Sequence, residues 1–333
     1  MAAKTASFIT EIPLIATSED SRVLAARLEA GRQLYNAVLS EGKTKLELIR
    51  NSELYQQAKA INKVNKKERS VAFQKAREFY RFSDYDLQAF ANKTAIASVW
   101  IKSHLDANTI QKIATRAFFA VERMMFGKAK KVRFKQKGQF ASLEGKTNKQ
   151  GIRWTGNGVE WSGLKLQAII NNDPVTLHGL NSKVKYVRLV RRILNQKTYW
   201  FAQLVCEGKP YQKPKNIIGN GTVGIDLGVS TVAIVGDEET IWTSFAVELT
   251  SKQKKIRKLQ RKMDRQRRVN NPENFNPNGT VKKGSKRWNN SNQYKKTAAK
   301  KREIERKQAA HRKSSHGKLV NLTLELGKNI KKV

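Results

Sequence analysis

The sequence predicts an α+β, multidomain chain: a small antiparallel β-barrel with a helical lobe inserted after its first strand, then an α/β domain with long basic helical arms. Three observations predict it. From residue 18 to 127 apolar residues recur at helical spacing and there is no proline. From 128 to 209 short aromatic and β-branched runs alternate with Asn, Gly and Asp clusters. From 251 to 316 Lys and Arg crowd stretches with few apolar positions. The expected boundaries are 1–17 for the first barrel strand, 18–127 for the lobe, 128–209 for the barrel, 210–219 for a linker and 220–333 for the last domain, whose basic arm spans 251–316.

Taken in order, Lys4 to Ile15 is strand-like and is expected to stop at Pro13 unless it lies on a sheet edge. Ser18-Glu19-Asp20 supplies a capping oxygen and negative charge for a helix start, and Leu24, Leu28, Leu34, Tyr35, Val38 and Leu39 give that helix an apolar face. From Lys43 to about Gly127 three or four more helices are expected, with packing stripes Ala58/Ile61/Val64, Ala89/Lys93/Ile96/Trp100 and Ile113/Ala117/Ala120/Val121/Met124. From Lys131 to Lys137 basic and apolar residues alternate at period two, so a strand here would present Arg133, Lys135 and Lys137 as a basic row. Further strands are separated by turn-forming sets at 155–158, 171–174 and 194–197. Regular spacing of this kind suggests a small barrel.

Charge narrows the function classes. The 333 residues hold 66 Lys and Arg against 27 Asp and Glu, a formal charge of +39. A polyanion neutralises such a field and releases counterions, which favours nucleic acid as partner. A membrane is disfavoured, because no run approaches the roughly 18 apolar residues of a spanning helix and the N-terminus does not read as a signal peptide. A cytoplasmic location is expected. Cys206, the only cysteine, excludes an internal disulfide and any cysteine-based zinc site in these residues, and it sits in a strand-like run expected in the core.

The last domain opens on Val223-Gly224-Ile225-Asp226-Leu227-Gly228-Val229, a strand and tight turn returning through Thr231 to Val235. Asp226 in this run reads as a hydrogen-bonded core acid, a phosphate holder or a metal ligand, since a desolvated carboxylate needs a cation or donors. Ile241 to Glu248 can form a third strand, and Ser251 can cap the next helix. Lys252 to Arg268 is too basic for a buried helix, and Lys254, Lys255, Arg257, Lys258, Arg261, Arg265, Arg267 and Arg268 are candidate phosphate contacts. The turn-rich stretch 270–280 leads to Lys282, Lys283, Lys286, Arg287 and Trp288, where an aromatic among bases suits stacking. A second basic helix is expected from about Ser291 to Lys313, then an apolar face of Leu319, Leu322, Leu326 and Ile330 against the sheet.

The Asp226 motif resembles the first motif of RuvC nuclease domains, in particular those of TnpB proteins, the transposon-encoded OrfB-type relatives of type V CRISPR effectors. The likeness extends to Arg32–Leu39, to His104–Lys135, and to the arm segments Asn276–Gly284 and Ala309–Leu319. It implies an RNA-guided DNA endonuclease with a recognition lobe, a wedge barrel and an RNase H-like (RuvC) domain. Its partners would be guide RNA and target DNA, and its two Mg2+ ions would be held by carboxylates of which Asp226 is the first. The family's second acidic motif, its zinc ribbon and its final Asp are expected beyond Val333, so the sequence resembles a TnpB protein truncated within RuvC and is expected not to cleave as given. Glu325, the 237–239 acids, Glu248, His311 and His316 do not replace the missing ligands. A nuclease-dead RNA-guided regulator and a generic basic RNA-binding protein are the alternatives; the similar Gly-Ile-Asp-Leu-Gly hairpin of actin-like ATPases fits the charge poorly. The motif leaves the oligomeric state open.

Overall fold

In a computed structural model, which describes residues 5–214, 216–245 and 251–332, the chain divides into two compact units. The first holds residues up to 193 and 198–211; the second holds 194–197 and residues from 212 on.

In the first unit β1 (Ser7–Leu14) leads to α1 (Ser18–Asn51). The cap of α1 is Thr17, one residue earlier than the sequence suggests: its hydroxyl accepts from the Asp20 amide and the Asp20 carboxylate accepts from the Thr17 amide. Such a reciprocal pair satisfies two amides the helix would leave bare. At 1.5 Å per residue α1 is about 50 Å long. It runs unbroken past Lys43, and its buried face continues from Leu24 through Leu39 to Leu46 and Ile49. Gly31 lets neighbouring segments approach closely, since a Cβ there would stand 2.9 Å from Leu143 and 3.0 Å from Phe140.

The lobe continues with α2 (Glu53–Ala60), α3 (Lys66–Phe79), α4 (Asp84–Ala97), α5 (Val99–His104) and α6 (Ala107–Met125). Five segments follow α1 where three or four are expected, because Ser52, Ser83, Ser98 and Asp106 each cap a new start. Two predicted stripes are corrected. Val64 is exposed beyond α2, and α4 packs through Leu87, Ala91 and Ala95, which leaves Ala89, Lys93 and Ile96 facing solvent and Trp100 of α5 exposed too. The third stripe packs as expected, with Ile113, Ala117 and Val121 buried.

A four-stranded sheet follows in the order β1-β7-β6-β2, from β2 (Ser142–Glu144), β6 (Val184–Leu194) and β7 (Lys197–Glu207). A second sheet joins β3 (Arg153–Trp154), β4 (Gly158–Trp161) and β5 (Leu164–Gln167). They meet where Leu14 bridges Ala168 and the Ile169 amide donates to the Pro13 carbonyl. Pro13 does not stop β1; it pairs opposite Phe201 on an edge strand, where its missing N–H costs no ladder bond. Asn195 and Gln196, both at positive φ, turn β6 into β7, and Asp173 caps α7 (Pro174–Leu180) where the sequence suggests a turn. Cys206 is fully buried as expected, and burial pushes its thiol up. The expected strand at 131–137 is absent. Those residues form a loop pinned to α1, where Asn36 bonds both the Lys135 amide (2.8 Å) and carbonyl (2.9 Å) and Arg32 donates to the same carbonyl.

One buried network ties helices to the small sheet. Arg27, on the apolar face of α1, donates to the carbonyls of Trp161 and Ser162 at 2.8 Å and lies 4.3 Å over the Trp161 ring. Trp161 Nε1 in turn donates to Asp106, the cap of α6. Burial lowers the Arg27 pKa and the nearby Asp106 charge partly restores it.

The second unit is a sheet of order β10-β9-β8-β11. β8 (Thr222–Leu227) and β9 (Thr231–Val235) form the expected hairpin, with Asp226 opposite Ala233, and β10 (Thr240–Ser244) extends it. The strand ends in the described residues at Ser244; Glu248 lies outside them. Two helices follow, α8 (Gln253–Asn270) and α9 (Asn292–Leu326), before β11 (Asn329–Lys332) pairs with β8 in parallel. The second basic helix and the apolar segment are thus one helix. Leu319 and Leu326 pack on Val223, Val232 and Ile234, while Ile330 belongs to β11 and is exposed.

Candidate nucleic-acid interface

Asp226 stands next to last in β8, opposite Ala233, and it is exposed, as are Leu227 and Val229 beyond it. The expectation of a desolvated carboxylate is therefore corrected: water reaches Asp226, and no burial has to be compensated. β11 runs alongside, with Lys332 opposite Ile225, one position short of Asp226. Asp237 accepts from the Thr222 amide at 3.0 Å and so tethers the start of β8. No three His, Cys, Asp or Glu side chains come together to hold a metal ion among the described residues.

The arm begins and ends at the two edge strands of this sheet, leaving after β10 and returning into β11. No residue of α8 is buried. Lys254, Lys255, Arg257, Lys258, Arg261 and Arg265 are all exposed, and among the described residues none of them enters an ion pair. Arg257, Arg261 and Arg265 follow one another at i, i+4 spacing and share a face. Ser251 serves the start of α8 from one position further out than expected: Lys252 occupies the cap position without a side-chain bond, while the Ser251 hydroxyl accepts from the Gln253 amide at 3.4 Å.

Three predicted contacts are engaged within the arm instead. Arg267 lies 4.7 Å over the Trp288 ring and 5.0 Å over Tyr294, and it donates to the Tyr294 hydroxyl. Arg268 lies 5.6 Å over Phe275, which meets Trp288 edge-on. Arg267, Arg268 and Trp288 thus meet aromatic or basic neighbours at the tip of the helical hairpin, with Arg268 exposed. Between them, the turn-rich stretch is an ordered loop. Asn271, fully buried, donates to the carbonyls of Arg267 and Asn289 (2.9 Å each) and accepts from the Asn289 amide, and Asn274 donates to the Arg287 carbonyl. The loop presents Lys282, Lys283 and Arg287 to solvent and holds Lys286 against the Gly284 carbonyl. On α9, Arg306 holds the Glu303 carboxyl down to about 2.

In the first unit Arg133 and Lys137 are exposed and Lys135 is half-buried on the pinned loop. Sequence reasoning missed a groove of about 530 Å³ between α6 and the larger sheet, lined by Lys112, Arg116, Phe119, Glu144, Arg188 and Gln203. Lys112 and Arg188 both bond Glu144 at 2.8 Å; burial pushes this carboxyl up, and the two bonds more than reverse the effect and hold it below its ordinary value. Lys112 and Arg116 recur at i, i+4, a signal present in the sequence, but only the sheet brings Arg188 beside them.

No protein-family model matches the chain and no curated protein matches it. Solved structures that resemble it include two Cas12f complexes. A CRISPR-Cas12f ternary complex has 12% identity and a TM-score of 0.33 over 96% of this chain and 63% of that one. A Cas12f1-sgRNA-target DNA complex has 11% identity and a TM-score of 0.38 over 98% of this chain and 81% of that one. The chain thus spans less than two thirds of the length of the first. No helix among the described residues is long and apolar enough to cross a membrane.

Proposed function

We propose that this chain is an RNA-guided DNA-binding protein of the TnpB kind, acting in the cytoplasm with guide RNA and target DNA as partners. In this reading residues 18–127 are the recognition lobe, 128–209 the wedge barrel and 220–333 a RuvC-like domain. The observation that carries it is the arm: two helices inserted between the edge strands of the Asp226 sheet, with six exposed cations of α8 free of ion pairs among the described residues. Rows of unpaired Lys and Arg on a solvated helix suit a phosphate backbone, and base pairing with a guide would supply sequence recognition.

Asp226 is the residue we assign as first ligand of a Mg2+ site, where such ions activate water and stabilise the leaving oxygen. Among the described residues no second and third metal-ligating side chain join Asp226 to complete a two-cation site. We assign these 333 residues guide and target binding without scission.

Purified with the noncoding RNA transcribed beside its gene, the chain is expected to retain one discrete RNA and to hold matched DNA uncut in magnesium, equally well as wild type and Asp226→Ala. A heterogeneous RNA population would point to a generic RNA-binding protein. Cleavage lost in Asp226→Ala would overturn the binding-only assignment.

A further inference from the structure

Two adjoining cavities lie in the helical part of the first unit, and their linings include none of the cations assigned to the arm. The larger, about 690 Å³, is walled by Tyr55, Phe73, Phe82 and Phe126, with Glu78 and Asp86 among its polar lining. The smaller, about 280 Å³, is lined by Lys63, Lys66 and Arg69 and shares Ser70 and Phe73 with the first. The larger compartment is thus aromatic, with Arg77 and Arg81 beside the two acids in its lining, the smaller is cationic, and Phe73 is common to both.

Their chemistry is complementary to a single kind of ligand. Lys63 and Lys66 are exposed, and among the described residues neither they nor Arg69 is in an ion pair. Arg69 donates to the Ile61 carbonyl at 3.0 Å and rests 5.4 Å over Phe73, which fixes a guanidinium at the boundary. Tyr55 meets Phe73 at 5.3 Å between ring centroids, so two rings of the wall brace each other. Gln74 donates to Glu78 and Ser83 to Asp86, so both carboxylates retain acceptor capacity toward the larger cavity. Arg81, also lining it, has a φ of 50°, a left-handed conformation uncommon for a residue with a side chain. The larger volume falls within the range of about 300–1,000 Å³ usual for small-ligand sites.

We propose that these cavities form a binding site for one nucleoside phosphate. The phosphate sits on Lys63, Lys66 and Arg69, the base lies against Phe73, and an exocyclic amino group donates to Glu78 or Asp86. A base with an amino group is required, since the carboxylates accept and do not donate when ionised. The site is built from residues of the first unit alone. The ligand can be an unpaired nucleotide of a bound strand or a free nucleotide, and the same chemistry serves both.

Equilibrium dialysis of the full chain against AMP, adenosine and inorganic phosphate tests this. AMP is expected to bind roughly tenfold tighter than either fragment, stacking and phosphate each contributing about that factor. Lys63→Ala with Lys66→Ala should lose the advantage of AMP over adenosine. Phe73→Leu, which keeps an apolar side chain in the wall, should weaken AMP and adenosine by a similar factor and phosphate by less, since Lys63 and Lys66 remain when Arg69 loses its ring contact, with circular dichroism verifying the fold. Displacement of AMP by a short single-stranded RNA but not by its duplex would identify the ligand as an unpaired nucleotide of a strand; no displacement by either would identify a free nucleotide. AMP binding no tighter than inorganic phosphate, or binding indifferent to both variants, would overturn the site. Charge changes on α8 should leave AMP binding untouched, so failure here and failure of the arm assignment are separable.

Discussion

The two units are held together by different means. In the first, Leu24, Leu34, Phe82, Leu87, Val121 and Trp161 belong to one continuous buried cluster that spans helices and both sheets. In the second, the buried cluster among the described residues is Val223, Val232 and Ile234, with Ile225, Ile241, Leu319 and Leu326 packed around it. Buried apolar area scales with the hydrophobic contribution, so the first unit has a large reserve and the second a small one. What the second unit has instead is polar fastening: the Asn271 bonds, the Arg267 stack and the Glu303–Arg306 pair. A fold with a thin core and a dense positive surface is one that a bound polyanion stabilises by mass action. A lobe with a thick core folds without such help.

Ile234→Ala against Leu34→Ala breaks this comparison most sharply. Each truncation of a fully buried aliphatic side chain should cost about 2–5 kcal/mol. In the second unit that loss should exceed the local reserve, so amide exchange in β8, β9 and β10 becomes fast while α1 and α6 stay protected. In the first unit it should lower the melting temperature with protection retained. Equal behaviour of the two variants would contradict the contrast.

Asn271→Ala should have a smaller effect, about 1–3 kcal/mol, because it leaves the Asn289 amide and two carbonyls without their partner. Exchange confined to 271–290 is the readout. Neither β8 nor the first unit should respond.

The smallest expected effect is a pH dependence of the first unit. Glu144 titrates lower in the folded chain than in the unfolded one. Its contribution is therefore present above the ordinary carboxylate value of 4.5 and is lost as pH falls through the folded value. Between pH 7 and a pH below 4.5 the urea midpoint should fall less in Glu144→Gln than in wild type. A variant with the same acid sensitivity would place the dependence elsewhere.

How much of this was legible in the sequence varies with how local the cause is. The β8–β9 hairpin and the position of Asp226 follow from period-two alternation and Gly228, both local, and the structure places them as expected. The start of α1 shifted by one residue because Thr17 and Ser18 are equally good caps and only Asp20 decides between them. The Ile96 and Trp100 stripe failed because α4 has two faces of nearly equal apolar content, and packing selects the one with small Ala91 and Ala95. Residues 131–137 alternate like a strand, but a strand needs a neighbour, and Asn36, about a hundred positions away, bonds Lys135 where a ladder would have been. The Asn271 lock and the Arg267 stack were invisible for the same reason: a basic residue reads as a phosphate contact until a fold supplies it with a nearer aromatic partner.

The salt dependence of RNA binding shows whether the arm meets phosphates. Arg257, Arg261 and Arg265 share one solvent-facing stripe of α8 with no ion pair among the described residues. If each meets a phosphate of single-stranded RNA, the Arg257→Gln, Arg261→Gln, Arg265→Gln triple variant should flatten the slope of log affinity against log salt by roughly 2, about 0.7 per contact. A slope equal to that of wild type would contradict the assignment of α8 to the phosphate backbone.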